Sequence, residues 1–203
     1  MEEKLSGEKP NFSDGLSKKY EKDCFLVPGP VRMSSKTLES MSHPVITARG
    51  SEYKAIMAEL NGLLRIAFNL SPTSYDIGVK SFEGDDGYST IVVSGSGTAA
   101  MEMIISNRFS KKDIVLVPTN GKFGERVADM TREFSNVKHI DFGWGKSFDL
   151  TKLENELSKG NYSGIAFCHY ETSTGITQDA DKLSKIAEKY KVALIIDGIT
   201  SVG

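Results

Sequence analysis

The stretch Ile91-Val92-Val93-Ser94-Gly95-Ser96-Gly97-Thr98-Ala99-Ala100-Met101-Glu102 decides how this chain is read, because it joins a buried-type apolar run to a helical one through two glycines and small hydroxyl residues. A helix leaves its first amides without intrahelical acceptors and exposes the positive end of its dipole, so Ser96, Gly97 and Thr98 can offer N–H groups and hydroxyls to a phosphate. The bland alternative is a turn kept small for tight packing. The spacing also fits G-x-G-x-x-A, the dinucleotide fingerprint, which requires an acidic residue about 20 positions on, at the carboxyl end of the second strand. That strand, read over 114–117, ends in Pro118-Thr119-Asn120-Gly121, and Asp113 stands at its other end. No Gly-Lys-Ser/Thr follows the turn, so it is not a Walker loop. A phosphate cup without nucleotide specificity remains.

With 203 residues, 39% hydrophobic and 26% charged, the chain can bury one sizeable core. A net charge of -2 with scattered Lys and Arg gives no concentrated positive field, so neither nucleic acid nor an anionic membrane is expected as partner. Cys24 and Cys168 are too few and too distant for a metal cluster or a disulfide framework, which points to a reducing cytoplasm and to no metal site. No apolar run is long enough to span a bilayer, and Met1-Glu2-Glu3-Lys4 lacks the layout of a signal peptide. Residues 1–24, polar and broken by Gly7, Pro10, Asn11 and Gly15, are expected as a flexible tail. Residues 25–70 are read as an N-terminal arm with helices, and 71–203 as the large domain.

Within the arm, residues 25–30 read as a short apolar strand ending in a rigid proline turn, and Ser34 or Ser35 as the cap of a helix. Tyr53, Ile56, Met57, Leu60, Leu63, Leu64 and Phe68 recur at helical spacing and predict a helix over 51–68 with these residues in the core. From Thr90 the pattern turns regular: a strand to Ser94, a helix from Thr98, and strands over 114–117, 137–140, 165–169 and 192–197. Helices over 123–134, 150–157 and 179–190 separate them. Such alternation implies crossover connections, hence a three-layer α/β/α fold with a mostly parallel sheet whose ligands bind beyond the carboxyl ends of the strands.

Three further strand ends carry chemistry. In Asn120-Gly121-Lys122-Phe123-Gly124-Glu125-Arg126 a bulky aromatic sits between two glycines, placed either to stack on a flat ligand or to anchor the helix start. The loop His169-Tyr170-Glu171-Thr172-Ser173-Thr174-Gly175 is rich in hydroxyls, which can serve a ligand or satisfy their own turn. Finally, the apolar run Ala193-Leu194-Ile195-Ile196 ends at once in Asp197. A carboxylate there needs a cation or hydrogen bonds, a protonated pyridine nitrogen being one candidate. Metal ligation competes, but no second carboxylate or His stands beside it in a recognisable spacing.

A phosphate cup, an aromatic, a hydroxyl loop and a strand-end acid, in this order along a parallel sheet, resemble the class V aminotransferases among fold-type I pyridoxal-phosphate enzymes. The resemblance runs from Leu26-Val27-Pro28-Gly29-Pro30 through Ala48-Arg49-Gly50-Ser51-Glu52-Tyr53 and the segments above to Asp197-Gly198-Ile199-Thr200-Ser201-Val202-Gly203. It is closest to the alanine-glyoxylate and serine-pyruvate group, with aspartate-type relatives near by. It implies pyridoxal 5'-phosphate as cofactor, held by Ser96, Gly97 and Thr98 at its phosphate. Phe123 would stack on the ring, Thr172 approach the ring oxygen, Asp197 keep the ring nitrogen protonated and Ile199 pack the opposite face. Gly29 and Arg49 are implied on the substrate side. Many members carry His before that arginine where this chain has Ala48.

The same resemblance implies transfer of an amino group from a small amino acid (alanine, serine or aspartate) to a 2-oxo acid such as glyoxylate or pyruvate, in a homodimer. The family's Schiff-base lysine lies one strand beyond the acid, whereas no lysine follows Asp197 here. The expectation is therefore a fold-type I large domain incomplete at its C-terminus, without the small domain, and inactive alone. Two alternatives stand beside it: another fold-type I enzyme, such as a lyase or desulfurase, and a non-catalytic cofactor-binding fragment.

Overall fold

Strands β1 (Ile114–Thr119) and β3 (Gly164–Cys168) are buried along almost their whole length, as strands must be when helices cover both faces of a parallel sheet. The computed structural model describes residues 26–70 and 87–202. The expected tail, with Cys24, lies outside them, as do Phe25, residues 71–86 and Gly203. By contact density the chain divides into Met1–Pro44 and Val45–Gly203.

In the first unit, helix α1 (Ser35–Met41) starts at Ser34, whose hydroxyl accepts the Thr37 amide at 3.1 Å, so Ser34 is the cap. Residues 27–30 bend, as the proline turn expected there requires, but no strand precedes them among the described residues, and 26–30 are exposed. Two prolines in this segment remove the amides a ladder would need.

The second unit begins with α2 (Ser51–Ala67), capped by Gly50. Its buried residues are Asn61 and Arg65, while Ile56, Leu63 and Phe68 are exposed, which corrects the apolar core expected there. The Thr90 hydroxyl donates to Asn61 Oδ1 at 3.0 Å, and Arg65 Nη1 donates to the Tyr88 carbonyl at 2.7 Å. Burial on this helix is governed by satisfied polar groups.

Then come α3 (Gly97–Arg108), β1, α4 (Lys122–Phe134), β2 (Asn136–Asp141), α5 (Leu150–Leu157) and β3. The hairpin strands β4 (Tyr170–Glu171) and β5 (Ile176–Thr177) follow, and α6 (Ala180–Tyr190) and β6 (Ala193–Asp197) complete the order. The main sheet runs β2-β1-β3-β6, every pair parallel. Side chains alternate across it. Val115, Val117, Ala166 and Ile195 join Met101, Ile105, Val127 and Ala128 on the α3–α4 side, and Leu116, Ile165 and Phe167 join Leu153, Leu157, Leu183 and Ala187 on the α5–α6 side. This is the three-layer α/β/α fold with a parallel sheet that the alternation predicted.

One strand is not formed. Residues 91–93 make no ladder among the described residues, and Ile91, Val92 and Val93 are 74%, 43% and 49% exposed. An apolar run becomes a strand only through bonds to a neighbour, and none of the described strands pairs with this one. The helix after it forms as expected, starting one residue earlier at Gly97.

Candidate functional site

Helix α3 is capped locally: the Ser96 hydroxyl accepts the Ala99 amide at 3.1 Å, and the first helical bond runs from Ala100 N to Ser96 O at 3.1 Å. The amides of Gly97 and Thr98 precede that bond and face out of the helix end, the geometry that receives an anion. Ser96, Gly97 and Thr98 are exposed. A Cβ at Gly97 would lie 2.8 Å from Cδ1 of Ile199, so the cup has no room for a side chain on the side facing the loop after β6.

That loop begins at Asp197, paired in the ladder with Cys168 and half-buried. Its Oδ1 accepts the Ile199 amide at 3.2 Å, and no ion pair holds the carboxylate among the described residues. The His169 amide donates to the Asp197 carbonyl at 2.9 Å, and His169 Nδ1 lies 2.8 Å from the Ser201 hydroxyl, so the β3 and β6 ends are joined on both sides of the acid. Cys168 is inert in this setting. Burial, and then the negative charges of Asp197 and Glu171, push its thiol up to about 12, far from thiolate at neutral pH.

Phe123 is half-buried in the first turn of α4, with the Arg126 guanidinium 5.4 Å from its ring centroid. Thr172 is half-buried in the turn between β4 and β5. Between the two runs a network that residue-type reading missed. Glu171, fully buried, accepts the Gly124 amide at Oε2 (2.8 Å) and the Ser173 amide and hydroxyl at Oε1 (3.2 and 2.6 Å). Asn120 also escaped notice: Nδ2 donates to the Lys146 carbonyl at 2.8 Å, and the Asn120 backbone carbonyl accepts Gly145 N at 3.1 Å. This fixes the loop of Trp144, whose indole donates to Glu125 at 3.1 Å and leads, ahead of Lys122, in lowering that carboxyl's pKa.

Arg49 lies exposed in the turn before α2, and Gly29 lies exposed in the first unit. No hydrogen bond or ion pair joins Arg49 to the strand-end residues among the described residues. The structure thus brings Gly97, Asp197 and Ile199 together, and Phe123 and Thr172 together through Glu171.

These strand ends fall within residues 78–203, which match the model of the family described as aminotransferase class-V. The chain belongs to the class V aminotransferase family. An aminotransferase of Methanocaldococcus jannaschii is 28% identical over 184 residues, 90% of this chain and 44% of that protein. Among solved structures, an alanine–glyoxylate aminotransferase from Nostoc sp. superposes with a TM-score of 0.74 at 30% identity, over 87% of this chain and 43% of that one. An aspartate aminotransferase from Thermus thermophilus gives 0.73 at 30% identity, over 89% and 47%. The chain spans less than half the length of these class V relatives, and its fold is that part of the fold-type I architecture.

Class V aminotransferases use pyridoxal phosphate, and the donors here fit it. Two amides without acceptors among the described residues, with hydroxyls beside them, suit a phosphate dianion, and a carboxylate without a cation among those residues suits a protonated ring nitrogen. Among the described residues no His/Cys/Asp/Glu cluster could hold a metal ion, and no helix is long and apolar enough to cross a membrane.

Proposed function

We propose that the full-length protein is a pyridoxal-phosphate-dependent aminotransferase. It moves an amino group from a small amino acid of the alanine, serine or aspartate type to a 2-oxo acid such as glyoxylate or pyruvate, as a cytoplasmic homodimer. The observation carrying this reading is the approach of the cup to the acid's loop, with Gly97 kept free of a side chain by Ile199 and Asp197 two residues before it.

When bound, the cofactor supplies an electron sink for the charge left on an amino acid that loses its α-proton. The residues of this chain would bind and orient it. Ser96, Gly97 and Thr98 hold the phosphate through hydroxyls and the two free amides of α3, where the helix dipole favours negative charge. Phe123 and Ile199 would pack against the ring and exclude water from it. Thr172 donates to the ring oxygen. Asp197 holds a proton at the ring nitrogen, a charge-assisted bond. Gly29 and Arg49 serve the substrate, Arg49 through its guanidinium on a carboxylate.

A panel of alanine, serine and aspartate as donors with glyoxylate and pyruvate as acceptors tests the reading on the full-length protein. The expected result is transfer from at least one donor. No transfer with any donor, in protein carrying bound cofactor, removes the aminotransferase assignment.

A further inference from the structure

The N-terminus of α4 has no local cap. Its N-cap residue is Gly121, which makes no side-chain bond to the helix. The first-turn amides are satisfied from far along the chain instead: Gly124 N by Glu171 Oε2 at 2.8 Å, and Lys122 N by the Ser173 hydroxyl at 3.0 Å. That hydroxyl donates in turn to Glu171 Oε1 at 2.6 Å. A buried carboxylate is tolerable here because three donors and a helix dipole face it. Gly121 leaves the space, since a Cβ there would come within 2.5 Å of Glu171 Cγ and 2.7 Å of the Ser173 hydroxyl.

The arrangement brackets two residues at once. Phe123 lies between Lys122 and Gly124, the two residues whose amides are captured. Thr172 lies between Glu171 and Ser173, the two residues whose side chains capture them. Two further bonds close the turn, from Thr174 N (3.1 Å) and Gly175 N (2.8 Å) to the Glu171 carbonyl. We infer that Glu171 is a positioning residue, whose carboxylate clasps the start of α4 to the β4–β5 turn and so fixes Phe123 and Thr172 relative to each other for the cofactor ring. The inference rests on the cofactor reading of those two residues. Glu171 is fully buried and would act through these two neighbours.

The test uses the full-length protein and its Glu171→Gln and Ser173→Ala variants. Gln keeps the length but presents an amide donor to Gly124 N–H or to the Ser173 donors. Ser173→Ala removes the linking hydroxyl at an exposed position, so it decides the matter if Glu171→Gln does not fold. Val127→Ala, which trims a buried residue of α4 without touching the clasp, controls for general loosening. Three quantities are read: pyridoxal-phosphate affinity by titration, induced circular dichroism of the cofactor at saturation, and amide exchange over residues 122–124 in cofactor-free protein.

Glu171→Gln is expected to weaken affinity about tenfold and at least halve the induced dichroism. Ser173→Ala is expected to weaken affinity about threefold. Both should quicken exchange at 122–124, whereas Val127→Ala should lower melting temperature alone. If the unaltered protein binds no cofactor, the cofactor reading falls and this inference with it. If the unaltered protein binds and the folded clasp variants keep its affinity and dichroism, the inference alone is overturned, whatever their melting temperatures.

Discussion

Strand β3 and residues 91–93 are both short apolar runs, yet their fates differ. Gly164–Cys168 is wholly buried, with β1 on one side and β6 on the other, while Ile91, Val92 and Val93 stay exposed without a ladder among the described residues. Hydrophobicity is shared by the two; neighbours are not. A strand of a parallel sheet draws its stability from bonds at both edges and from side chains enclosed on both faces, so an apolar sequence specifies a readiness to pair and the partners decide.

The contrast can be broken first at its strongest point. Phe167 is fully buried in β3 with its ring edge-on to Phe148 at 6.2 Å. In the 203-residue chain, Phe167→Ala is expected to cost about 3–5 kcal/mol, the price of a deleted core aromatic. Urea denaturation measures it, and a loss below about 1 kcal/mol would mean that the interior of β3 is as loosely held as residues 91–93.

Strand β6 sharpens the contrast, because it pairs with β3 on one edge and leaves Ile196 39% exposed. Asp197 at its end serves either the ladder or a ligand. In the full-length protein Asp197→Asn is expected to weaken cofactor binding by about 1.5–3 kcal/mol, the worth of a charge-assisted hydrogen bond, with melting temperature little changed. A fallen melting temperature beside unaltered cofactor binding would assign the acid to structure.

The smallest effect belongs to the exposed run. Ile91→Ser in the 203-residue chain is expected within about 0.5 kcal/mol of the parent, as at surface positions generally. A larger loss by the same denaturation experiment would show that residues 91–93 are enclosed in solution.

What the sequence made legible follows the same division. Helices α3 to α6 and strands β1, β2, β3 and β6 could be read because alternation, caps and length agree locally: Ser96, Asp149 and Asp179 each accept an amide three residues on, within the window that pattern reading covers, whereas the two-residue strands β4 and β5 lie where the pattern gives only a hydroxyl-rich loop. The segments at 26–30 and 91–93 have the apolar character of strands without the neighbours that pairing needs. On α2 the spacing of apolar residues correctly gave a helix, but its buried side was chosen by the partners of Asn61 and Arg65, which sequence spacing does not reveal. At the site, Asp197, Phe123 and the cup stood out by position at element ends. Glu171 did not, because its bonds reach back 47 residues to Gly124, and nothing in Glu-Thr-Ser-Thr-Gly distinguishes a buried helix cap from an ordinary turn acid.

The two halves of the proposed site are therefore set on different clocks. Ser96 reaches only to Ala99, so the cup needs no more than the nucleation of one helix. The clasp must first close a loop of some fifty residues that contains α4, β2, α5 and β3, an entropy cost met only once β1 and β3 lie side by side. An order of assembly follows: the phosphate end of the site takes shape with a local turn, and the ring end waits for the sheet.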